Sequence, residues 1–232
     1  MPQSISKYKL YFYLILLIFL SSTFNFQLLE NYRNKFNLKT INIEGLTFEE
    51  KKMLEVELDN FRKVNIFKLN EDIILQQLSR FNFIENVYIT KIIPSSINIK
   101  LSKTSILGKT IRNGNIYFIG KNGQFINPNQ LIDTEVSANV FGDFDIQEFL
   151  SLHKILNNNK IEVNKIDTYY YFKNKRWDLI FSNGLILKLP SNNTENSIQI
   201  FKKLLENKKL ENTKIIDLRL NNQIILTYKK DE

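Results

Sequence analysis

Cysteine is absent from this sequence and histidine occurs once, at His153. Without cysteine there are no disulfides, zinc fingers, iron–sulfur clusters or thiol nucleophiles. With a single histidine, His-rich metal sites and most imidazole acid–base schemes lose their main ingredient. Glycine is scarce, with 7 in 232 residues, which leaves little for a phosphate-cradling loop. Neither G-x-S-x-G nor H-E-x-x-H occurs. Arginine is also sparse: Arg33, Arg62, Arg80, Arg112, Arg176 and Arg219 are the only ones among 32 basic residues, and the lysines are spread along the whole chain. A net charge of +8 invites a polyanion partner. Bidentate recognition of phosphates and bases favours clustered arginine, however, so nucleic acid is not expected. The runs of asparagine, such as 157–159, read as compositional drift.

What is present is a packed core's worth of apolar residues, 43% of the chain, including 18 Phe and 10 Tyr. Leu10 to Leu29 carries no charge. Its 20 residues would span roughly 30 Å as a helix, the thickness of a hydrocarbon core. Residues 10–20 (LYFYLILLIFL) are apolar all round rather than along one stripe. We therefore expect a transmembrane helix over 10–29 behind a short cytoplasmic tail, 1–9. The competing reading is a cleaved signal peptide ending in the small residues Ser21 to Thr23, ahead of a secreted or periplasmic enzyme or binding protein. Lys7 and Lys9 before the segment and Arg33, Lys35 and Lys39 after it leave its orientation open by local charge.

Beyond a polar spacer, LKTINIEGL (38–46) alternates as a strand ending in Gly45. Thr47 with Glu50 is a capping-box pair. Met53, Leu54, Leu58 and Phe61 then follow at helical spacing. Residues 64–69 read as a short strand. Asn70 caps a second helix through Ile73, Ile74, Leu75 and Leu78, and strands follow over 84–93 and 96–103. The order over 38–103 is β-α-(short β)-α-β-β. From Thr104 onward strands and hairpins dominate, with turns at Asn113-Gly114, Asn122-Gly123 and Asn183-Gly184. Strands are predicted over 105–112, 115–119, 123–126, 163–172, 175–181 and 185–189, and helices over 145–157 and 194–207. A terminal hairpin pairs 214–220 with QIILTY (223–228). The fold class is α+β: one N-terminal transmembrane helix, a small β-α-β-α-β-β domain, and a mostly antiparallel β domain with two helices over 104–228.

Landmarks in this order resemble the bacterial cell-division family FtsQ/DivIB. INIEGL (41–46), NIFKLN (65–70) and FNFIENVYITKIIPSSINIKL (81–101) are similar to its POTRA domain, here 38–103. FIGKNGQFI (118–126), VFGDF (140–144), WDLIFSNGLILKL (177–189) and IIDLRL (215–220) are similar to its β domain. The sequence departs from the family pattern at Lys103, Gly120 and Leu220. The resemblance implies a non-enzymatic, single-pass scaffold of the divisome in the cell inner membrane. Its N-terminus would be cytoplasmic and its main domains periplasmic, at the septum, with partners resembling FtsB and FtsL. No cofactor, metal or small-molecule substrate is expected. His153 reads as structural, Asp143 and Asp145 as helix-cap acids, and Trp177 as packing.

The site prediction rests on the last strand. A terminal strand in an open sheet tends to sit at the edge, where unpaired N–H and C=O groups template another strand. The resemblance places the partner at the same strand, with Arg219 at the family's arginine and Tyr228 at an aromatic position. The predicted partner-binding residues are Arg219, Leu220, Gln223, Ile224, Ile225, Leu226, Thr227 and Tyr228. Rival classes are a membrane-tethered polyanion binder and an outer-membrane assembly factor; about 130 residues after Lys103 are too few for the latter's barrel.

Overall fold

The computed structural model describes residues 7–22, 34–131, 138–206, 210, 212–220 and 223–229. Helix α1 spans Lys7–Ser22, 16 residues or about 24 Å. Among the described residues no helix is long and apolar enough to cross a membrane. The expected span of 20 residues is therefore 13 residues of helix here, 10–22, and its remainder, 23–29, lies outside the described residues. Apolar side chains are exposed around α1, Leu10, Ile15, Leu17 and Phe19 among them.

A three-stranded sheet follows, built from β1 (Thr40–Glu44), β2 (Ile84–Ile92) and β3 (Ser96–Lys103) in the order β1-β3-β2. β1 runs parallel to β3, and β2 antiparallel to it. Helices α2 (Phe48–Leu58) and α3 (Glu71–Leu78) cover one face. Leu54, Leu58, Ile74 and Leu78 meet Ile41, Ile43, Ile97, Ile99 and Leu101 in one core. The predicted caps form. Thr47 and Glu50 make a reciprocal capping box, and the Asn70 side chain accepts from Asp72 N. The predicted short strand 64–69 is not one. It is a turn with a single bridge, Asn37 to Asn65, whose backbone bonds with 36–38 stop before β1 begins. Gly45 ends β1 at φ +92°, and a Cβ there would lie 1.9 Å from the Leu101 carbonyl oxygen. Only glycine fits that approach.

The second sheet has nine strands in the order β12-β11-β10-β9-β8-β7-β4-β5-β6. They are β4 (Ile106–Arg112), β5 (Asn115–Gly120), β6 (Phe125–Ile126), β7 (Asn139–Phe141), β8 (Ile166–Phe172), β9 (Arg176–Phe181), β10 (Ile186–Lys188), β11 (Thr213–Asp217) and β12 (Ile225–Tyr228). Most pairings are antiparallel, but β4/β7, β7/β8 and β10/β11 are parallel. Two of these need a crossover, and the two helices supply them. Helix α4 (Ile146–Asn158) joins β7 to β8, and α5 (Thr194–Glu206) joins β10 to β11. Their apolar stripes cover a row that crosses the sheet in register: Val140, Tyr169, Leu179, Leu187, Ile216 and Leu226. Each such buried side chain contributes roughly 1.5–3 kcal/mol.

The two sheets share a joint at the β5–β6 turn. The Asn122 amide donates to the carbonyls of Asn82 (2.9 Å) and Ile84 (3.3 Å), and Asn122 N donates to Thr104 Oγ1 (3.0 Å). Asn82 donates back to the Phe125 carbonyl at 2.8 Å, and Ile126 is buried in the core of the first sheet.

Candidate functional site

β12 closes one end of the nine-stranded sheet and pairs only with β11 among the described residues. The predicted strand 223–228 begins two residues late, so Gln223 and Ile224 precede the ladder and Arg219 and Leu220 follow β11. Register joins Asp217 to Ile225, Ile216 to Leu226 and Ile215 to Thr227. Lys229 N donates to the Asn212 carbonyl at 2.7 Å. Backbone polar groups alternate sides along a strand. Those of 225 and 227 therefore face β11 with 229, and those of Leu226 and Tyr228 face the open flank. Side chains alternate between the two faces: Leu226 packs onto the core and Ile225 lies exposed on the other face, while Tyr228, on the Leu226 side at the strand's end, is exposed too.

Two clefts border this edge. One, of about 470 Å³, lies between the start of α5 and the approach to β12, and Leu220, Gln223 and Ile224 line it with Asn192, Asn196 and Ile200. The other, of about 350 Å³, opens on the opposite side, lined by Arg176, Asp217, Arg219, Leu220 and Ile225. The structure thus brings all eight predicted residues to one edge, with Leu220 on the wall of both clefts.

The sequence reading missed the charged row beside that edge. Asp178, Lys188, Asp217 and Ile225 are register partners across β9, β10, β11 and β12. Arg219 forks onto Asp217, with Nε 2.8 Å and 3.0 Å from its two oxygens and Nη2 2.5 Å from Oδ2. Those hydrogen bonds hold the Asp217 carboxyl below its ordinary value. Burial pushes the Asp178 carboxyl the other way, up, against the opposing pull of Arg176, Lys188 and Arg219. Neither Asp178 nor Lys188 stands out in the linear sequence, because cross-strand partners appear only once pairing is known.

Elsewhere the individual residues take structural places. Asp145 caps α4 by accepting from Gln147 N at 2.7 Å, His153 bonds Asn157 one turn away, and Trp177 is buried in the aromatic core. Among the described residues no three His, Cys, Asp or Glu side chains converge as a metal site requires.

Comparison with known proteins gives two family matches. Residues 36–103 match the POTRA domain, FtsQ-type, and residues 110–219 match cell division protein FtsQ/DivIB, C-terminal. The second match stops at Arg219, so β12 lies beyond it. The chain is 28% identical over 197 residues to the cell division protein FtsQ of Rickettsia bellii, covering 81% of this chain and 71% of that protein. It is 25% identical to that of Rickettsia typhi over the same shares. Over 164 residues it is 26% identical to that of Rhizobium radiobacter, covering 68% of this chain and 77% of the relative.

Proposed function

Because the chain belongs to the FtsQ/DivIB family of cell-division proteins, we propose that it works as a non-enzymatic, single-pass scaffold of the divisome, recruiting its partners by strand addition to β12. The anchor in this reading is the apolar segment that begins with α1. Its N-terminus lies in the cytoplasm, and the POTRA domain and the β domain, over 38–103 and 104–228, lie in the periplasm at the division septum. The partners are division proteins resembling FtsB and FtsL. A segment of one of them lies along the open flank of β12, and its side chains enter the clefts on either side of Leu220. Tethering in one membrane raises the effective concentration of such a segment, so a short edge suffices.

The observation that carries this reading is the flank of β12 that pairs with no strand among the described residues, where the backbone groups of Leu226 and Tyr228 face outward. Tyr228→Pro removes an outward N–H and no inward one. Affinity of the full-length protein in detergent for a peptide from the FtsB-like partner is expected to fall more than tenfold, with the circular dichroism unchanged. Unchanged affinity overturns strand addition at β12. The anchor is tested separately: the full-length protein is expected in the membrane pellet until detergent releases it, and recovery in the soluble fraction without detergent refutes the span.

A further inference from the structure

Three segments of the first domain meet at the end from which the chain runs back toward α1. Ile66 N donates to the Phe36 carbonyl (2.8 Å) and Leu38 N to the Val64 carbonyl (2.9 Å), which fixes the α2–α3 connection beside residues 36–38. Lys39 N donates to the Ser95 carbonyl (2.8 Å), which brings in the β2–β3 turn, and the Arg62 guanidinium donates to the Lys39 carbonyl (2.6 Å). What this end offers outward is its side chains, and they are apolar and basic together. Phe67 on one connection is 64% exposed and Ile93 on the other 61%, and Ile92 before it is exposed as well. The Phe67 ring rests against Phe36, centroids 5.4 Å apart. Lys35, Lys39, Lys63 and Lys68 are all exposed in these same segments. Of the acids at this end, Arg62 holds Asp59 (2.9 Å) and Lys91 holds Glu71 (3.4 Å), which leaves Asp72, in the first turn of α3, against the lysines.

Either apolar residue alone would be ordinary on a protein surface. Their position gives them meaning. The uncharged run 10–29 ends seven residues before Phe36, and a fully extended chain of that length reaches at most about 25 Å. With that run in a bilayer, this end of the domain is held within that distance of the lipid headgroups. There an apolar tip can enter the interface, and lysine stems can lie along it with their ammonium groups among the phosphates. The attraction grows with the number of cations near the surface and fades within a Debye length, so it acts only on the end of the domain that the tether keeps close.

We propose that this end of the first domain is a lipid-contact surface, with Phe67 and Ile93 inserted at the headgroup level of an anionic bilayer and Lys35, Lys39, Lys63 and Lys68 set against its phosphates. The inference rests on the membrane anchor of the reading above and adds a second point of contact to it. Two contacts remove the swivel that a short tether alone allows. Through the Asn122 bonds that join the sheets, they also set the direction in which the β12 edge is presented.

The absence of cysteine makes the test clean. Full-length protein is reconstituted in phosphatidylglycerol vesicles with an environment-sensitive dye on a single introduced thiol. Lipid spin-labelled at the headgroup is expected to quench the dye at Phe67→Cys and at Ile93→Cys about threefold or more over Ser102→Cys, an exposed position about 20 Å along β3 from the β2–β3 turn. Replacing the anionic lipid by phosphatidylcholine, or raising the salt to about 1 M, is expected to cut the quenching about threefold. Lys39→Glu with Lys68→Glu is expected to do the same in phosphatidylglycerol, with the circular dichroism unchanged. The lipid contact is overturned, and the anchor left standing, if protein that co-floats with the vesicles is quenched at Phe67→Cys and Ile93→Cys no more than at Ser102→Cys. Equal quenching in neutral and anionic vesicles overturns it as well. Protein that does not co-float overturns the anchor, and the lipid contact with it.

Discussion

Lys103 Nζ lies 3.0 Å and 3.2 Å from the two carboxylate oxygens of Glu50, a residue with no solvent-exposed surface. One oxygen also accepts from Thr47 N at 2.9 Å. The cap that starts α2 is therefore tied to the last residue of β3. This accounts for a lysine at a position where the family resemblance leads one to expect an acid: here the acid is on the helix and the cation on the strand.

Burial alone would push the Glu50 carboxyl up. Hydrogen bonds from the Thr47 backbone, Lys103 and the Thr47 hydroxyl outweigh it, and the group titrates below its ordinary 4.5. A carboxyl depressed in the folded state stabilises above its unfolded pKa and loses that contribution as pH falls through the folded value. Lys103→Met is expected to cost about 1–2 kcal/mol at pH 7, less than a fully enclosed pair because Lys103 is one-third exposed. Urea unfolding at pH 7 and again below pH 4 checks this, and the penalty should shrink in acid.

Asp178 carries the opposite sign. Burial raises its carboxyl above the ordinary 3.8. Its Oδ1 has no hydrogen-bond partner among the described residues, and Arg176 Nε stands 3.7 Å away. A raised carboxyl makes the folded state hold its proton more tightly, so its contribution to stability is lost as pH rises through the folded pKa. Asp178→Asn is expected to leave stability at pH 7 equal or higher by up to about 1 kcal/mol. It should also flatten the stability profile just above pH 4. A loss of stability at pH 7 would refute the assignment.

Glycine gives a graded comparison. Gly45 and Gly114 both have positive φ, +92° and +78°, but a Cβ at Gly114 meets nothing within 4 Å, whereas at Gly45 it strikes the Leu101 carbonyl. Gly114→Ala is expected to cost about 1 kcal/mol, the conformational term alone. Gly45→Ala is expected to cost more than about 3 kcal/mol, because two paired strands would have to separate. Thermal unfolding of the two variants side by side measures the difference.

How far the sequence revealed this molecule follows from the range of each signal. The Asn113-Gly114 hairpin is local, and both residues take the positive φ that a tight turn requires. The capping box and the Asn70 cap are likewise decided within four residues. β7 was not predicted. Three residues between two parallel neighbours carry no alternation of their own, and 139–141 become a strand only because α4 returns the chain to pair β8 beside them. Among the α3 positions read as apolar, Ile73 and Leu75 are exposed, since a helix of eight residues turns one narrow stripe to the core. At the candidate site β12 stands at one end of the sheet order among the described residues. The outward parity of Leu226 and Tyr228, and the row from Asp178 to Asp217, depend on register, which no single strand contains.

One amide makes two of the hydrogen bonds that join the sheets. Asn122 donates both its bonds into carbonyls at the entry to β2, and aspartate at the same place has the same shape but no N–H to give. Asn122→Asp therefore sets a carboxylate against the Asn82 and Ile84 carbonyls, and a cost of about 2–3 kcal/mol is expected at neutral pH. The consequence is local before it is global. Asn82 would lose its restraint toward the Phe125 carbonyl, and Ile126 would be drawn from the first sheet's core. Hydrogen exchange should quicken first at 82–86 and 122–126 while the row through Tyr169 and Leu179 stays protected. Uniform acceleration across both sheets would mean that the joint is not a separate cooperative element.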